Sequence, residues 1–208
     1  MTNNNQRSLV LKQIREFCSL SKEQENALDL YVEALIKHNQ KFNLIGKSTL
    51  DNIWERHILD CAQIFPLITD KNSKIADFGS GAGLPGIVLS ILGVKEINLI
   101  EKSFRKAEFL RIVQNLSPNK IYIHQKNLED LINLKFNCIT SRALAALPKL
   151  LEYSQNFLQQ DGYCLFLKGK NLKNEIANSK TLFKFAHQLF PSLTSDESNI
   201  IKIFNLNN

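Results

Sequence analysis

Apolar residues in the first third of the chain recur three and four positions apart, as they do on one face of an α-helix. A short first helix is predicted to carry Leu9, Ile14 and Phe17. Ser21 with Gln24 three residues later forms a capping box, which starts a second helix that ends near Asn39. Its apolar face is predicted to carry Leu28, Tyr31, Val32 and Leu35.

A third helix is predicted to begin at Ser48 or Thr49 and to carry Ile53, Trp54, His57, Cys61, Ile64 and Phe65. No strand-like alternation precedes about Asp70. Residues 1–70 are therefore predicted to be an N-terminal helical extension. Arg56 and Asp60, four residues apart, are expected to form an ordinary helix ion pair, and His57 is expected to be a packed histidine.

The pattern changes in residues 71–208, where short apolar runs alternate with helical stretches. Strands are predicted at Ile75–Phe78, Ile97–Ile100, Lys120–His124, Cys138–Thr140 and Tyr163–Leu167, and helices after Gly86 and at Phe104–Leu116 and Leu147–Gln159. The tail is predicted to form one helix, Leu172–Leu189, and strands at Ser192–Thr194 and Asn199–Phe204. The predicted fold class is α/β, a Rossmann-like, mostly parallel sheet with helices on both faces.

A glycine-rich turn follows the first predicted strand and precedes a helix. Gly79, Gly81 and Gly83 lack side chains, so the backbone can take positive φ angles and approach a ligand closely. A run of alternating glycines is a weak signal by itself, because such turns also occur where two elements merely cross. The strand, turn and helix order favours a nucleotide-binding loop.

Two carboxylates sharpen the prediction of a ligand site. Asp77 precedes the glycine turn, and Glu101 ends the next strand, so both are expected at the carboxyl edge of the sheet, where ligands bind. Glu101 suits the diol of a ribose. Asp77 would repel a pyrophosphate, so a cationic nucleoside without phosphate fits better. S-adenosylmethionine is the cofactor with these properties.

Composition narrows the class of protein. The 208 residues, 44% of them hydrophobic, are enough for one sizeable core, and the net charge of +6 suggests an anionic partner without specifying it. The polar start of the chain and the absence of a long apolar run predict a cytoplasmic protein without a membrane partner. The four cysteines lack metal-binding spacing, so they are expected to be reduced core residues and no metal site is predicted.

Five motifs in order resemble one known family. They are Asp-x-Gly-Ser-Gly-Ala-Gly-x-Pro-Gly at 77–86, Glu-Arg-His-x-x-Asp at 55–60, Asn-Leu at 43–44, Ser-Arg-Ala at 141–143 and Leu-Lys-Gly at 167–169. Each is weak alone, but together they are similar to the bacterial 16S ribosomal RNA guanine-N7 methyltransferases, also called glucose-inhibited division protein B. The resemblance covers roughly residues 31–169. It implies a methyltransferase sheet with an N-terminal helical extension.

The resemblance also implies specific contacts. It places S-adenosylmethionine at Gly79 and Leu84 in the turn, at Leu128 and Glu129 after the third strand, and at Arg142 after the fourth. Two positions depart from the family, which usually has an aspartate after the second strand and then a glycine before two basic residues. This chain has Glu101 and Phe104 there.

The resemblance further implies that the partner is 16S ribosomal RNA in a small-subunit particle and that the protein acts as a monomer. Arg142 is predicted to be the catalytic residue, because a guanidinium can bind a phosphate or the guanine edge through two hydrogen bonds. Lys168 and Lys170 are predicted to contact the RNA backbone. Two alternatives stay open from the sequence: an NAD(P)-dependent oxidoreductase and a catalytically silent RNA-binding protein.

Overall fold

The computed structural model describes residues 3–207, in which seven strands form one sheet in the order β3-β2-β1-β4-β5-β7-β6. The first five strands run parallel, and β7 is antiparallel to both of its neighbours. The strands are β1 (Lys74–Phe78), β2 (Glu96–Ile100), β3 (Lys120–His124), β4 (Phe136–Arg142), β5 (Leu158–Lys168), β6 (Lys184–Pro191) and β7 (Asn199–Asn207). Residues 1 and 2 of the predicted helical extension (1–70) and residue 208 of the predicted sheet segment (71–208) lie outside the described residues.

Helices cover both faces of this sheet. They are α1 (Asn3–Arg15), α2 (Lys22–Asn39), α3 (Asp60–Ala62), α4 (Gly86–Leu92), α5 (Phe104–Val113), α6 (Leu147–Gln155) and α7 (Leu172–Lys180). A π-helix, Trp54–Leu59, runs directly into α3. Short 3₁₀ turns occur at Lys47–Asn52, Phe65–Leu67, Gln114–Leu116 and Leu128–Asp130. The predicted fold class is confirmed.

Successive residues of a strand point to opposite faces, and this alternation divides the core in two. On β1, Ile75 belongs to the core cluster beneath α1, α2, α4 and α5, whereas Ala76 and Phe78 belong to the cluster beneath α6 and α7. Both faces of the central strands are therefore apolar, as expected for parallel strands between two layers of helices.

The strand order places a crevice at the carboxyl edge of β1. The chain builds β2 and β3 on one side of β1 and then returns to place β4 on the other side. Loops after β1 and β4 therefore leave the sheet in opposite directions, which opens the crevice where α/β proteins bind ligands.

The N-terminal helices pack into the same core as the sheet. Tyr31 of α2 is fully buried, and its hydroxyl donates a 2.7 Å hydrogen bond to the carbonyl of Ala82 in the glycine turn. Gln24, which completes the capping box of α2, also donates its amide to the carbonyl of Ile91. The extension thus supports the turn directly, while the boundary at residue 70 stays a prediction.

The prediction for the tail was wrong in part. The helix ends at Lys180 instead of Leu189, and Lys184–Pro191 is strand β6, while Ser192–Thr194 lies in the loop before β7. The strand forms because β6 pairs along β7, an interaction that local spacing does not show. Helix α6 also ends at Gln155, before Gln159, because Leu158 pairs with Phe136 of β4.

Two further predictions from composition concern the cysteines and membrane-spanning helices. All four cysteines are unpaired and buried. Among the helices of residues 3–207, none has the length and apolarity needed to cross a membrane.

We expect Tyr31→Phe to lower the free energy of unfolding by about 1–3 kcal/mol, because it leaves the buried carbonyl of Ala82 without its donor. Urea unfolding measures this change. Tyr122→Phe, at a half-exposed position on β3, is the control and should change stability by less than about 0.5 kcal/mol. Equal effects of the two variants would show that the Tyr31 bond does not support the turn.

Candidate functional site

The glycine turn has the backbone conformation that the sequence predicts. Gly79, Gly81 and Gly83 have φ angles of 65°, 57° and 90°. A Cβ on Gly83 would lie 2.4 Å from Ile87, so this glycine serves packing of the turn on α4. Gly79 and Gly81 are partly exposed and form the accessible part of the turn.

Asp77 does not lie in an open site. It is fully buried below the turn, where its carboxylate accepts hydrogen bonds from the backbone N–H of Gly86 at 3.0 Å and from the hydroxyl of Thr140 at 3.2 Å. Burial raises the pKa of Asp77 to about 7. The structure therefore corrects the predicted direct cofactor contact: Asp77 holds the turn in place from beneath.

Glu101 holds the same turn from the other side. Its carboxylate accepts the N–H of Gly81 at 2.9 Å and the N–H of Ser103 at 2.8 Å. Because β1 and β2 are neighbours, this links the glycine turn to the end of β2. The carboxylate is thereby fixed at the carboxyl edge of the sheet, while its contact with a ribose diol stays a prediction.

A cavity of about 310 Å³, here called the Glu101 cavity, opens beside this carboxylate. Four predicted cofactor residues line it, namely Gly79, Glu101, Leu128 and Glu129. Sequence reasoning missed the others, which come from the end of β2, from three different loops and from α5 and α6: Ile100, Lys102, Lys106, Lys126, Asn127, Ala143, Leu144 and Tyr153. Leu84 does not line it, because its side chain is buried under the turn.

The loop after β4 covers Gly79. Ala143 has a φ of 56°, which is unusual for a residue with a side chain, and it turns Leu144 toward the glycine. A Cβ on Gly79 would lie 2.6 Å from Leu144. The absence of a side chain at Gly79 therefore allows this loop to close on the turn.

Arg142, at the end of β4, is held by three acceptors. Its guanidinium donates to the carbonyl of Arg56 at 3.1 Å, to the carboxylate of Asp60 at 3.2 Å and to His57 Nδ1 at 2.9 Å. The expected ion pair between Arg56 and Asp60 is wrong, since Asp60 pairs with Arg142. The 55–60 segment thus positions Arg142 across the sheet edge.

The hydrogen bonds assign the tautomer of His57. Thr49 donates its hydroxyl proton to the carbonyl of Gly46, so it accepts from His57 Nε2–H at 2.7 Å. Nδ1 is then the unprotonated nitrogen that accepts from Arg142. Burial, and then the charges of Arg142 and Arg56, lower the pKa of His57 to about 3. His57 is packed, as predicted, and it is neutral.

A second cavity of about 410 Å³, here called the Arg142 cavity, adjoins this network. Lys168 and Lys170 both line it, but they differ in their surroundings. Lys168 is 9% exposed and pairs with Glu175 at 2.6 Å, whereas Lys170 is exposed. Contact of either lysine with RNA stays a prediction.

The loop between β6 and β7 closes the Arg142 cavity, which the sequence did not indicate. Thr194 donates to Asp60 at 2.7 Å, and Gln63 accepts the N–H of Leu193 and donates to Ser192. Asp60 therefore joins the C-terminal hairpin to Arg142. Within residues 3–207, no cluster of three histidine, cysteine or acidic side chains could hold a metal ion.

Comparison with known proteins assigns the family. The family model GidB, described as rRNA small subunit methyltransferase G, matches residues 24–201. The chain belongs to this family. The ribosomal RNA small subunit methyltransferase G of Orientia tsutsugamushi (strain Ikeda) is 42% identical over 200 residues, which cover 93% of this chain and 99% of the relative. That of Rickettsia prowazekii (strain Madrid E) is 37% identical over 179 residues, covering 86% and 93%.

Solved structures agree with this fold. A ribosomal protein L11 methylase from Lactobacillus delbrueckii subsp. bulgaricus has a TM-score of 0.59 at 18% identity, covering 71% of this chain and 77% of that one. A mutant of MtNAS in complex with S-adenosylmethionine has a TM-score of 0.61 at 15% identity, covering 87% and 75%. Membership of the GidB family confirms the resemblance seen in the motifs, the predicted rRNA methyltransferase activity and its cofactor, S-adenosylmethionine. The oxidoreductase alternative is set aside.

We expect Gly81→Val to abolish binding of S-adenosylhomocysteine while the protein stays folded. A β-branched residue is strained at a φ of 57°, yet the nearest atom to a Cβ there is 3.8 Å away, so the core is not disturbed. Isothermal titration and circular dichroism measure the two effects. The control is Gly46→Val, at a φ of −61°, which should bind normally. Normal binding by Gly81→Val would make the turn purely structural.

We expect His57→Gln to reduce the loss of stability on acidification. The folded-state pKa of His57 lies below its unfolded value of 6.5, so its contribution is present above pH 6.5 and is lost as the pH falls toward 3. Urea unfolding at pH 7.5 and pH 5 should show a smaller loss in His57→Gln than in the wild type. His57→Leu, which removes the acceptor for Arg142, should be less stable already at pH 7.5. An unchanged loss in His57→Gln would contradict the neutral assignment.

Proposed function

We propose that this protein transfers the methyl group of S-adenosylmethionine to N7 of a guanine in 16S ribosomal RNA, acting in the cytoplasm as a monomer on a small-subunit particle. The observation that carries the proposal is the adjacency of two cavities at one residue. Ala143 lines both the Glu101 cavity and the Arg142 cavity. A cofactor in the first and a base in the second would meet beside the end of β4.

The residues of the Glu101 cavity fit the cofactor. Glu101 offers carboxylate oxygens to a ribose diol, Leu128 supplies an apolar contact for a base, and Gly79 lets the backbone approach. The volume of about 310 Å³ is at the lower end of ligand pockets. When bound, S-adenosylmethionine supplies an electrophilic methyl group on a sulfonium. Gly79, Glu101, Leu128 and Glu129 would hold it.

The proposed reaction needs no general base. Guanine N7 carries an in-plane lone pair and no proton, so methylation at this atom would require no prior deprotonation of the base. His57 could not act as a base, because Nε2 carries its proton and the lone pair of Nδ1 is directed at Arg142. The protein acts by alignment, which can lower a barrier by about 7–11 kcal/mol.

We infer that Arg142 aligns the base. Its three hydrogen bonds occupy three of the five N–H groups of a guanidinium, which leaves two that can donate to the acceptor edge of guanine or to a phosphate. Asp60 and His57 fix its orientation, so little side-chain freedom is lost when the base binds. We assign the catalytic role to Arg142 and positioning roles to Asp60 and His57.

Lys170 is the better candidate of the two lysines for binding an RNA phosphate. It lies exposed at the rim of the Arg142 cavity, whereas Lys168 donates to Glu175 and to the carbonyl of Ala145. Glu175 in turn accepts the first N–H of α6 from Leu147. Removing the charge of Lys168 would therefore disturb the fold as well as any RNA contact.

The test is methyl transfer to small subunits from cells lacking this protein, with the product mapped as N7-methylguanine in 16S rRNA. Single-turnover rates at saturating substrates should vary little between about pH 6.5 and 8.5, since no histidine must lose a proton.

Arg142→Ala should lower the rate by about 100-fold or more, while binding of S-adenosylhomocysteine identifies folded protein. Lys170→Gln should weaken RNA binding and its salt dependence without changing the rate. Methylation at another atom, or a rate that follows histidine deprotonation, would overturn this function.

A further inference from the structure

Phe104 is an aromatic side chain that the fold leaves in solvent. It is the first residue of α5 and is 62% exposed. Its neighbours in the chain, Lys102 and Lys106, line the Glu101 cavity, but Phe104 does not. The ring therefore lies outside the space assigned to the cofactor, while residues on either side of it in the chain line that space.

The aromatic ring lies within a group of cations. Lys102 and Arg105 are exposed and Lys106 is half-buried, and among the described residues no acidic side chain pairs with any of the three. Arg111, on the same helix, differs because it pairs with Glu108. Along α5, the cations without an acidic partner therefore lie at the start of the helix, next to the site.

A second aromatic ring supports this surface. The guanidinium of Arg105 lies over Phe42 at 5.8 Å from the ring centre. This contact orients Arg105 without using its hydrogen-bond donors, which stay free for a partner. The surface formed by Lys102, Phe104, Arg105 and Lys106 is here called the α5 surface.

We propose that the α5 surface binds a single-stranded segment of the RNA substrate, with Phe104 stacked on an unpaired base and the three cations facing neighbouring phosphates. The proposal rests on the proposed function and adds a second contact to it, outside the Arg142 cavity.

Charge favours RNA over an apolar protein partner. Burying Phe104 against an apolar surface would also remove water from the flanking lysines and arginine, which is costly without anions. RNA supplies both a π-face for the ring and a phosphate for each cation. Stacking of a base on an aromatic residue contributes about 1–3 kcal/mol, as judged by alanine substitution.

The test compares two probes, a 5′-fluorescein-labelled 12-nucleotide single-stranded RNA and an abasic oligomer of the same length. We expect Phe104→Ala to weaken binding of the RNA by about 5- to 100-fold and to leave the abasic oligomer unaffected. Phe104→Tyr should bind the RNA as the wild type does. Leu182→Ala, at a position 63% exposed and far along the chain, is the matched control.

The dependence of RNA affinity on salt concentration distinguishes the contribution of the Phe104 ring from that of the neighbouring cations. Phe104→Ala should keep the slope of log affinity against log salt, whereas Arg105→Gln should lower it by about 0.7, the value for one contact with a single-stranded phosphate. Binding of S-adenosylhomocysteine should be unchanged in both variants.

Three outcomes would overturn the proposal: wild-type affinity of Phe104→Ala for the RNA, an equal loss on the abasic oligomer, or a loss of S-adenosylhomocysteine binding that places Phe104 in the cofactor site. Any of these, with methylation of small subunits intact in the wild type, rejects the α5 surface alone. Absence of both RNA binding and methylation in the wild type rejects the proposed function as well.

Discussion

Two carboxylates accept hydrogen bonds from the glycine turn on opposite sides, and the conformation of the site depends on these hydrogen bonds. Asp77 binds the N–H of Gly86 from below, and Glu101 binds the N–H of Gly81 from the end of β2. Positive φ angles are open to glycine but not specified by it, so the turn needs these fixed acceptors to keep one conformation. The two acids differ in role, because Glu101 lines the Glu101 cavity and Asp77 does not.

The second organising feature is the position of Arg142 between parts of the chain that are distant in sequence. Its guanidinium contacts the 55–60 segment, and Asp60 reaches on to Thr194 in the C-terminal hairpin. A charged group that is largely buried must be paired, and each of these segments contributes to pairing it. The Arg142 cavity is therefore formed by the helical extension, the sheet and the hairpin together, although the boundary near residue 70 suggests separate units.

Much of the fold could be predicted because its strands are short apolar runs with glycine, proline or polar residues between them. The five parallel strands and the capping box at Ser21 follow from such local patterns. Strand β6 could not be predicted in this way, because Lys184–Pro191 is polar at several positions and becomes a strand only by pairing with β7. The end of α6 was overestimated for the same reason.

The sequence by itself determined the class of fold, the place of the nucleotide turn, and the family, because these depend on glycines, acids and apolar periodicity that act within a few residues. It also indicated Gly79, Glu101, Leu128 and Glu129, which line one cavity. Only the tertiary structure decided that Asp77 lies beneath the site, that His57 is a neutral acceptor for Arg142, and that Lys168 is paired. Burial and pairing depend on groups brought together from distant segments, and spacing along the chain does not record which groups will meet.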